Sequence, residues 1–299
     1  MMNADSRRGA GDVRWLQRLC VAVAALALGG CAALYTPAQR VTAQARSGQL
    51  QAVAAFDGTP MRAWLRQPPA AATADTTLTT ITTLTTITIY IEGDGAEWRG
   101  KYEPPRDPTP DNPLTLRLAL RDPGASVAYL GRPCQYLDDA ALAQCPSLLW
   151  MQGRYGEPAV TMMSAAVDLL LLAASAQRVR LVGYSGGGVM AALIAAQRTD
   201  VSCLVTVASP LDTDAWTAAI DVSPLTASLN PLALAPRLAT IAQTHIAGAD
   251  DALVPTRALQ RFTTALPQAR LEVLPGFDHD CCWVHAWEGL RQRTCLVVP

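Results

Sequence analysis

Short apolar runs, separated by polar turns and by longer stretches rich in helix formers, recur along most of the 299-residue chain. Residues 51–56 and 61–65 read as two strands joined by Asp57-Gly58, a dipeptide suited to a hairpin turn. Residues 87–91 (Ile-Thr-Ile-Tyr-Ile) have the β-branched composition of a buried strand. They run directly into Glu92-Gly93-Asp94-Gly95, a glycine-spaced loop. Further strands are expected at 126–130, 178–182, 201–208, 243–247 and 270–274, with helices at 114–120, 160–176, 188–197, 213–220, 232–240 and 256–265. Residues 160–176 are apolar nearly all round, interrupted only by Asp168. Bracketed by Pro158 and Arg178, that stretch is too short for a bilayer and is expected to pack between the sheet and its neighbours. Strands alternating with helices predict an α/β fold, with a mostly parallel central sheet covered by helices on both faces. In such sheets functional residues gather in the loops after the carboxyl ends of the strands.

Some stretches break the pattern. Arg7, Arg8, Arg14 and Arg18 precede a short apolar run from Leu19 to Leu28, about half the length that spans a bilayer. Residues 1–30 therefore read as a signal peptide and stand outside the fold. The run ends in Leu28-Gly29-Gly30-Cys31, which resembles the lipobox of bacterial lipoproteins. That resemblance implies cleavage before Cys31, a lipid on its side chain, and, with Ala32 next, delivery to the periplasmic face of the outer membrane. Residues 31–50 are polar and Ala-rich, a tether or a short helix lying on the domain, and the domain itself spans 51–299. Residues 68–75 break the pattern with Pro and Ala, and a Thr-rich repeat with Leu or Ile at every third position follows at 76–88; 68–86 reads as an expanded loop running into a strand. The Pro-rich stretch 98–113 and residues 211–236 are candidate cap segments.

Composition narrows the function classes. Half the residues are hydrophobic and 16% are charged, which fits a packed globular domain. A net charge of −1 offers no electrostatic footprint for nucleic acid. Lys101 is the sole lysine, so Schiff-base chemistry has almost no candidate. Of eight cysteines, Cys20 and Cys31 belong to the leader and its cleavage site, leaving six in the domain. An even number in an oxidising compartment points to disulfides. Cys134 and Cys145 flank a short loop and are the first expected pair; Cys203, in an apolar run, is expected to be a buried thiol, and Cys295 to pair with Cys281 or Cys282. His279, Cys281, Cys282, His285 and Cys295 are metal-ligating types, but adjacent cysteines are not a zinc spacing, and neither metal nor cofactor is expected.

One stretch carries the chemistry. Gly183-Tyr184-Ser185-Gly186-Gly187 lies where a strand gives way to a helix. Such a turn is too tight for side chains at the glycines, lifts the serine oxygen clear, and sets it at the positive end of the helix dipole. A serine needs a base, and the base needs an acid. Of three histidines, His245 falls inside a predicted strand and His285 in a predicted helix, whereas His279 follows the last predicted strand. For the acid, Asp251 after the 243–247 strand comes first, then Asp250, then Asp212 after the 201–208 strand.

With these three in order, the chain resembles the α/β-hydrolase superfamily over about residues 51–293. Gly183-Tyr184-Ser185-Gly186-Gly187 is similar to its nucleophile elbow, Gly248 to Pro255 to its acid loop, and Gly276 to His279 to its histidine loop. The resemblance implies Ser185 as nucleophile, His279 as general base and Asp251 as its orienting carboxylate. It also implies an oxyanion hole from the backbone N–H groups of Gly186 and Asp94. Glu92-Gly93 replaces the usual His-Gly opening of that loop, and a carboxylate there opposes a developing negative charge. More narrowly, Glu92 to Gly95, Arg132-Pro133-Cys134-Gln135-Tyr136, the elbow and the run from His279 to Trp283 are similar to a group of bacterial lipoprotein hydrolases. The expected function is ester hydrolysis on a small molecule, with thioester or amide cleavage open to the same groups; the rival is a non-catalytic envelope scaffold, favoured by the carboxylates at 92 and 94.

Overall fold

The computed structural model describes residues 36–67, 85–96 and 105–297. The leader with Cys31, most of the Thr-rich segment and the first part of the 98–113 cap candidate lie outside the described residues. In chain order the elements are α1 (Pro37–Ser47), β1 (Gln51–Ala52), β2 (Ala63–Arg66), β3 (Thr86–Ile91), α2 (Leu114–Leu120), β4 (Val127–Leu130), α3 (Asp139–Leu142), α4 (Glu157–Ala173), β5 (Arg178–Tyr184), α5 (Gly186–Ala195), β6 (Val201–Val207), α6 (Thr213–Ala219), β7 (Ala242–Gly248), α7 (Arg257–Ala265), β8 (Arg270–Leu274) and α8 (Trp283–Arg291).

The strands form one eight-stranded sheet in the order β1-β2-β4-β3-β5-β6-β7-β8. The β1–β2 and β2–β4 pairs are antiparallel and the other five pairs are parallel. Strand alternation sends neighbouring side chains to opposite layers. Ile87, Ile89 and Ile91 enter the layer with α4, α5 and α7, whereas Tyr90 enters the layer with α1, α2 and α8. Every residue of α5 is buried, which is why that helix is apolar on all sides.

Several expectations need correction. Residues 51–56 are not one strand: β1 stops at Ala52 and residues 54–56 turn into a 3₁₀ helix. The helix expected from 160 starts at Glu157, because Pro158 sits in its first turn, where its missing N–H costs nothing. Residues 231–238 form a 3₁₀ helix, with Pro236 inside it. Residues 37–47 take the second of the two forms expected, a helix lying on the domain, closed by a Thr36–Gln39 capping box, with Val41 and Ala45 buried.

The cysteines pair as Cys134–Cys145, Cys203–Cys295 and Cys281–Cys282. The expected free thiol at Cys203 and the expected pairing of Cys295 with Cys281 or Cys282 are both overturned. Cys203 faces the α8 layer, where the C-terminal segment brings Cys295 to a Cα–Cα distance of 5.7 Å. The two adjacent cysteines bond to each other, so neither is left for Cys295.

Candidate active site

Because β3 to β8 run parallel, the loops after them share one edge. Ser185 follows β5, Asp251 follows β7 and His279 follows β8. The turn at Ser185 has φ 52° and ψ −126°. It is held by Ser185 N–H donating to the Val207 carbonyl at 2.8 Å and by Gly188 N–H donating to the Ser185 carbonyl at 3.0 Å. The flanking glycines are needed for close approach: a Cβ on Gly183 would lie 2.3 Å from the Gly187 carbonyl, and one on Gly187 would lie 2.2 Å from the Ile91 carbonyl.

The structure brings three of the expected side chains together. The Ser185 hydroxyl lies 3.1 Å from His279 Nε2, and His279 Nδ1 lies 2.9 Å from Asp251 Oδ2. Asp251 is buried and aimed: its Oδ1 accepts from the backbone N–H groups of Leu253 and Val254 at 2.9 and 2.7 Å. The His279 carbonyl accepts from Tyr184 Oη at 2.9 Å and Trp283 Nε1 at 2.8 Å, and the Tyr184 ring packs against the imidazole. Burial, then the nearby Asp280 carboxylate, keep the Tyr184 phenol well above its ordinary pKa, so it remains a donor.

The other candidates lie elsewhere. Asp250 is exposed beside Asp251. Asp212 caps α6 and pairs with Arg261 at 3.0 Å, bonded also to Asn230. His285 is exposed on α8, and His245 is buried against Phe262 with Nδ1 2.9 Å from Thr206 Oγ1. Burial depresses the His245 pKa to about 3. Among the described residues no group of three or more His, Cys, Asp or Glu side chains is gathered to hold a metal ion.

Next to Ser185 stands the loop after β3. A Cβ on Gly93 would lie 3.6 Å from Ser185 Cβ, and one on Gly186 would lie 1.9 Å from Asp94 Oδ1, so this loop packs directly on the elbow. The Gly93 N–H is committed to Glu92 Oε1 at 2.8 Å. The two carboxylates expected to oppose a negative charge do not act alike. Glu92 is turned beneath α2, where Thr115 and Tyr129 donate to it at 2.7 and 2.8 Å; burial raises its pKa despite these bonds. Asp94 accepts from Arg132 Nη1 at 3.1 Å, Arg154 Nη1 at 3.0 Å and Tyr155 Oη at 2.6 Å. Burial alone would raise the Asp94 pKa; the Arg154 and Arg132 charges and the Tyr155 bond overcome it and hold the carboxyl below its usual range. Sequence reasoning missed Arg154 and Tyr155, which sit in no motif, and quoted Arg132 without a role.

No protein-family model matches the sequence, and no curated protein matches it. Solved structures do match its shape. A proline iminopeptidase from Mycobacterium smegmatis aligns with a TM-score of 0.55 at 14% identity, over 82% of this chain and 96% of that one. The esterase Pf2001 from Pyrococcus furiosus aligns with a TM-score of 0.51 at 16% identity, over 78% of this chain and 84% of that one. A puromycin hydrolase aligns with a TM-score of 0.54 at 19% identity over 81% of this chain, which spans 38% of that protein's length. At such identities the likeness is one of architecture alone, and the architecture is the α/β-hydrolase fold.

Proposed function

We propose that the chain is a serine hydrolase that cleaves carboxylic esters of small molecules through an acyl-enzyme on Ser185. The observation that carries this reading is the unbroken chain of hydrogen bonds from Asp251 through His279 to Ser185. His279 Nε2 takes the hydroxyl proton as Ser185 Oγ attacks the ester carbon. The developing oxyanion is stabilised at the N-terminus of α5, by the backbone N–H groups of Gly186 and Asp94. His279 then returns the proton to the departing alkoxide, and water repeats the cycle on the acyl-enzyme. Asp251 keeps the imidazole in the tautomer that offers Nε2 to serine. An esterase and a peptidase are among the proteins of similar shape, in keeping with this chemistry.

The scaffold reading drew on the carboxylates at 92 and 94. One is turned away from Ser185 and the other is paired with two guanidiniums, so that argument loses its basis. Residues 211–236 are proposed to wall the site: Leu229 N–H and Ser228 Oγ bond to the carbonyls of Tyr155 and Gln152 at 3.1 and 2.7 Å, beside the Asp94 cluster. We also propose lipidation at Cys31 and anchoring at the periplasmic face of the outer membrane, which rests on the lipobox-like residues.

A fluorophosphonate probe should label the wild type and not Ser185→Ala. Equal labelling would remove Ser185 from the nucleophile role. Paired nitrophenyl esters and nitroanilides of the same acyl group should show ester turnover dominating. Cys31→Ser should leave the membrane fraction; unchanged fractionation would defeat the anchor.

A further inference from the structure

The loop carrying Asp94 is held from behind by residues that take no part in the reaction just described. Gln135 Nε2 donates to the Gly93 carbonyl at 3.1 Å and to the Pro108 carbonyl at 3.3 Å, while its Oε1 accepts from Arg132 N–H at 2.9 Å. Arg132 Nη1 reaches Asp94, and its Nη2 donates to the Arg154 carbonyl at 2.5 Å. Its guanidinium carbon lies 5.3 Å from the Tyr155 ring centroid, and the side chain is 4% exposed. These residues lie directly after β4, in a segment clamped by the Cys134–Cys145 disulfide and by Cys134 N–H on the Pro60 carbonyl at 2.8 Å. Cys134 and Tyr136 adopt φ of 73° and 62°, left-handed values that side-chain-bearing residues keep only where surroundings impose them. The segment is therefore built to one shape, and that shape presses on Gly93 and Asp94.

The charges also matter. Two guanidiniums face one carboxylate, and the Asp94 carboxylate touches the α-carbon of Gly186. An isolated carboxylate in that place would oppose an oxyanion. Flanked by two arginines, it forms a cluster with one positive charge in excess.

We propose that Arg132, Gln135 and Arg154 are positioning residues that hold the Gly93–Gly95 loop against Gly186, with the Asp94 carboxylate as their anchor. This rests on the reading of Ser185 as nucleophile and of the Gly186 and Asp94 N–H groups as oxyanion donors. These side chains bond to the loop and to the Asp94 carboxylate behind it, rather than to Ser185 or His279. They set the distance and direction of a donor that works only when the oxyanion has formed.

The sign of one substitution decides the matter. If Asp94 is an anchor, Asp94→Asn loosens the loop and lowers turnover; if it is an obstacle, removing its charge raises turnover. The expected result is a kcat lowered about 10–100-fold with KM within about threefold, since displacing a donor by about 1 Å costs up to that much. Affinity for a trifluoromethyl ketone, which forms a tetrahedral oxyanion adduct on serine, should fall by the same factor. Arg154→Met and Gln135→Leu should follow the same line, and Arg154→Lys should recover part of the loss. All rates are normalised to fluorophosphonate-titrated sites, so a poorly folding variant does not decide the outcome. An unchanged or raised kcat in Asp94→Asn, or a kcat loss without loss of ketone affinity, overturns the proposal. If wild-type labelling does not depend on Ser185, the parent reading falls instead.

Discussion

Replacing Ser185 by glycine should make the protein more stable than replacing it by alanine, although both variants are inactive. At φ 52° and ψ −126°, the backbone of residue 185 lies where a Cβ is crowded, at a cost of about 1–3 kcal/mol. Alanine keeps the Cβ and the strain; glycine removes both. Against that gain, glycine has about 0.5–1 kcal/mol more conformational entropy to lose on folding. The difference leaves Ser185→Gly ahead by about 1 kcal/mol, and at most by about 2.5 kcal/mol. For domains approaching this size that is a rise of a few degrees, at roughly 2–4 °C per kcal/mol. The assay is paired thermal and urea melts of the two variants with the disulfides kept oxidised. Since neither has a hydroxyl, loss of the bond to His279 cancels in the comparison. A Ser185→Gly protein that melts at or below Ser185→Ala would refute the claim that strain is stored at the elbow.

Other outcomes follow from the same geometry. Gly187→Ala would drive a Cβ to 2.2 Å from the Ile91 carbonyl and should cost about 3 kcal/mol in denaturant melts. Gly289→Ala, exposed within α8 with open space around the new Cβ, should instead stabilise by about 0.5–1 kcal/mol. His245 is held neutral by burial, with its pKa moved from 6.5 to about 3. The unfolded chain therefore takes up the proton first, and the stability present above pH 6.5 is lost as pH falls from there towards 3. At pH 5, one and a half units below the unfolded value, the loss is on the order of 2 kcal/mol, and His245→Gln should flatten that part of a stability–pH profile. Removing Cys203–Cys295, which spans 92 residues, should cost about 2 kcal/mol more than removing Cys134–Cys145, which spans 11, when alanine pairs are compared by urea melts.

The order of strands and helices was legible in the sequence, because hydrophobic periodicity and turn residues act between near neighbours. The run at 87–91, the all-apolar helix after Ser185 and the glycines around it each declare their local state through their own composition. The exceptions are also local in cause: Ala52 ends a strand that composition would have continued, and Pro236 accompanies a tighter helix. The ordered Ser185, Asp251 and His279 could be picked out because each follows its own strand.

What the sequence could not decide is how distant groups balance one another. Nothing near Asp94 says that guanidiniums 38 and 60 residues away will meet its carboxylate, so its charge read as a defect. Nothing near Cys203 says that the chain's end returns to it. Patterning follows from the chain's immediate neighbours, whereas charge compensation and cross-linking depend on distance through space. Only the packing of β3, β4 and the loops behind them sets those distances.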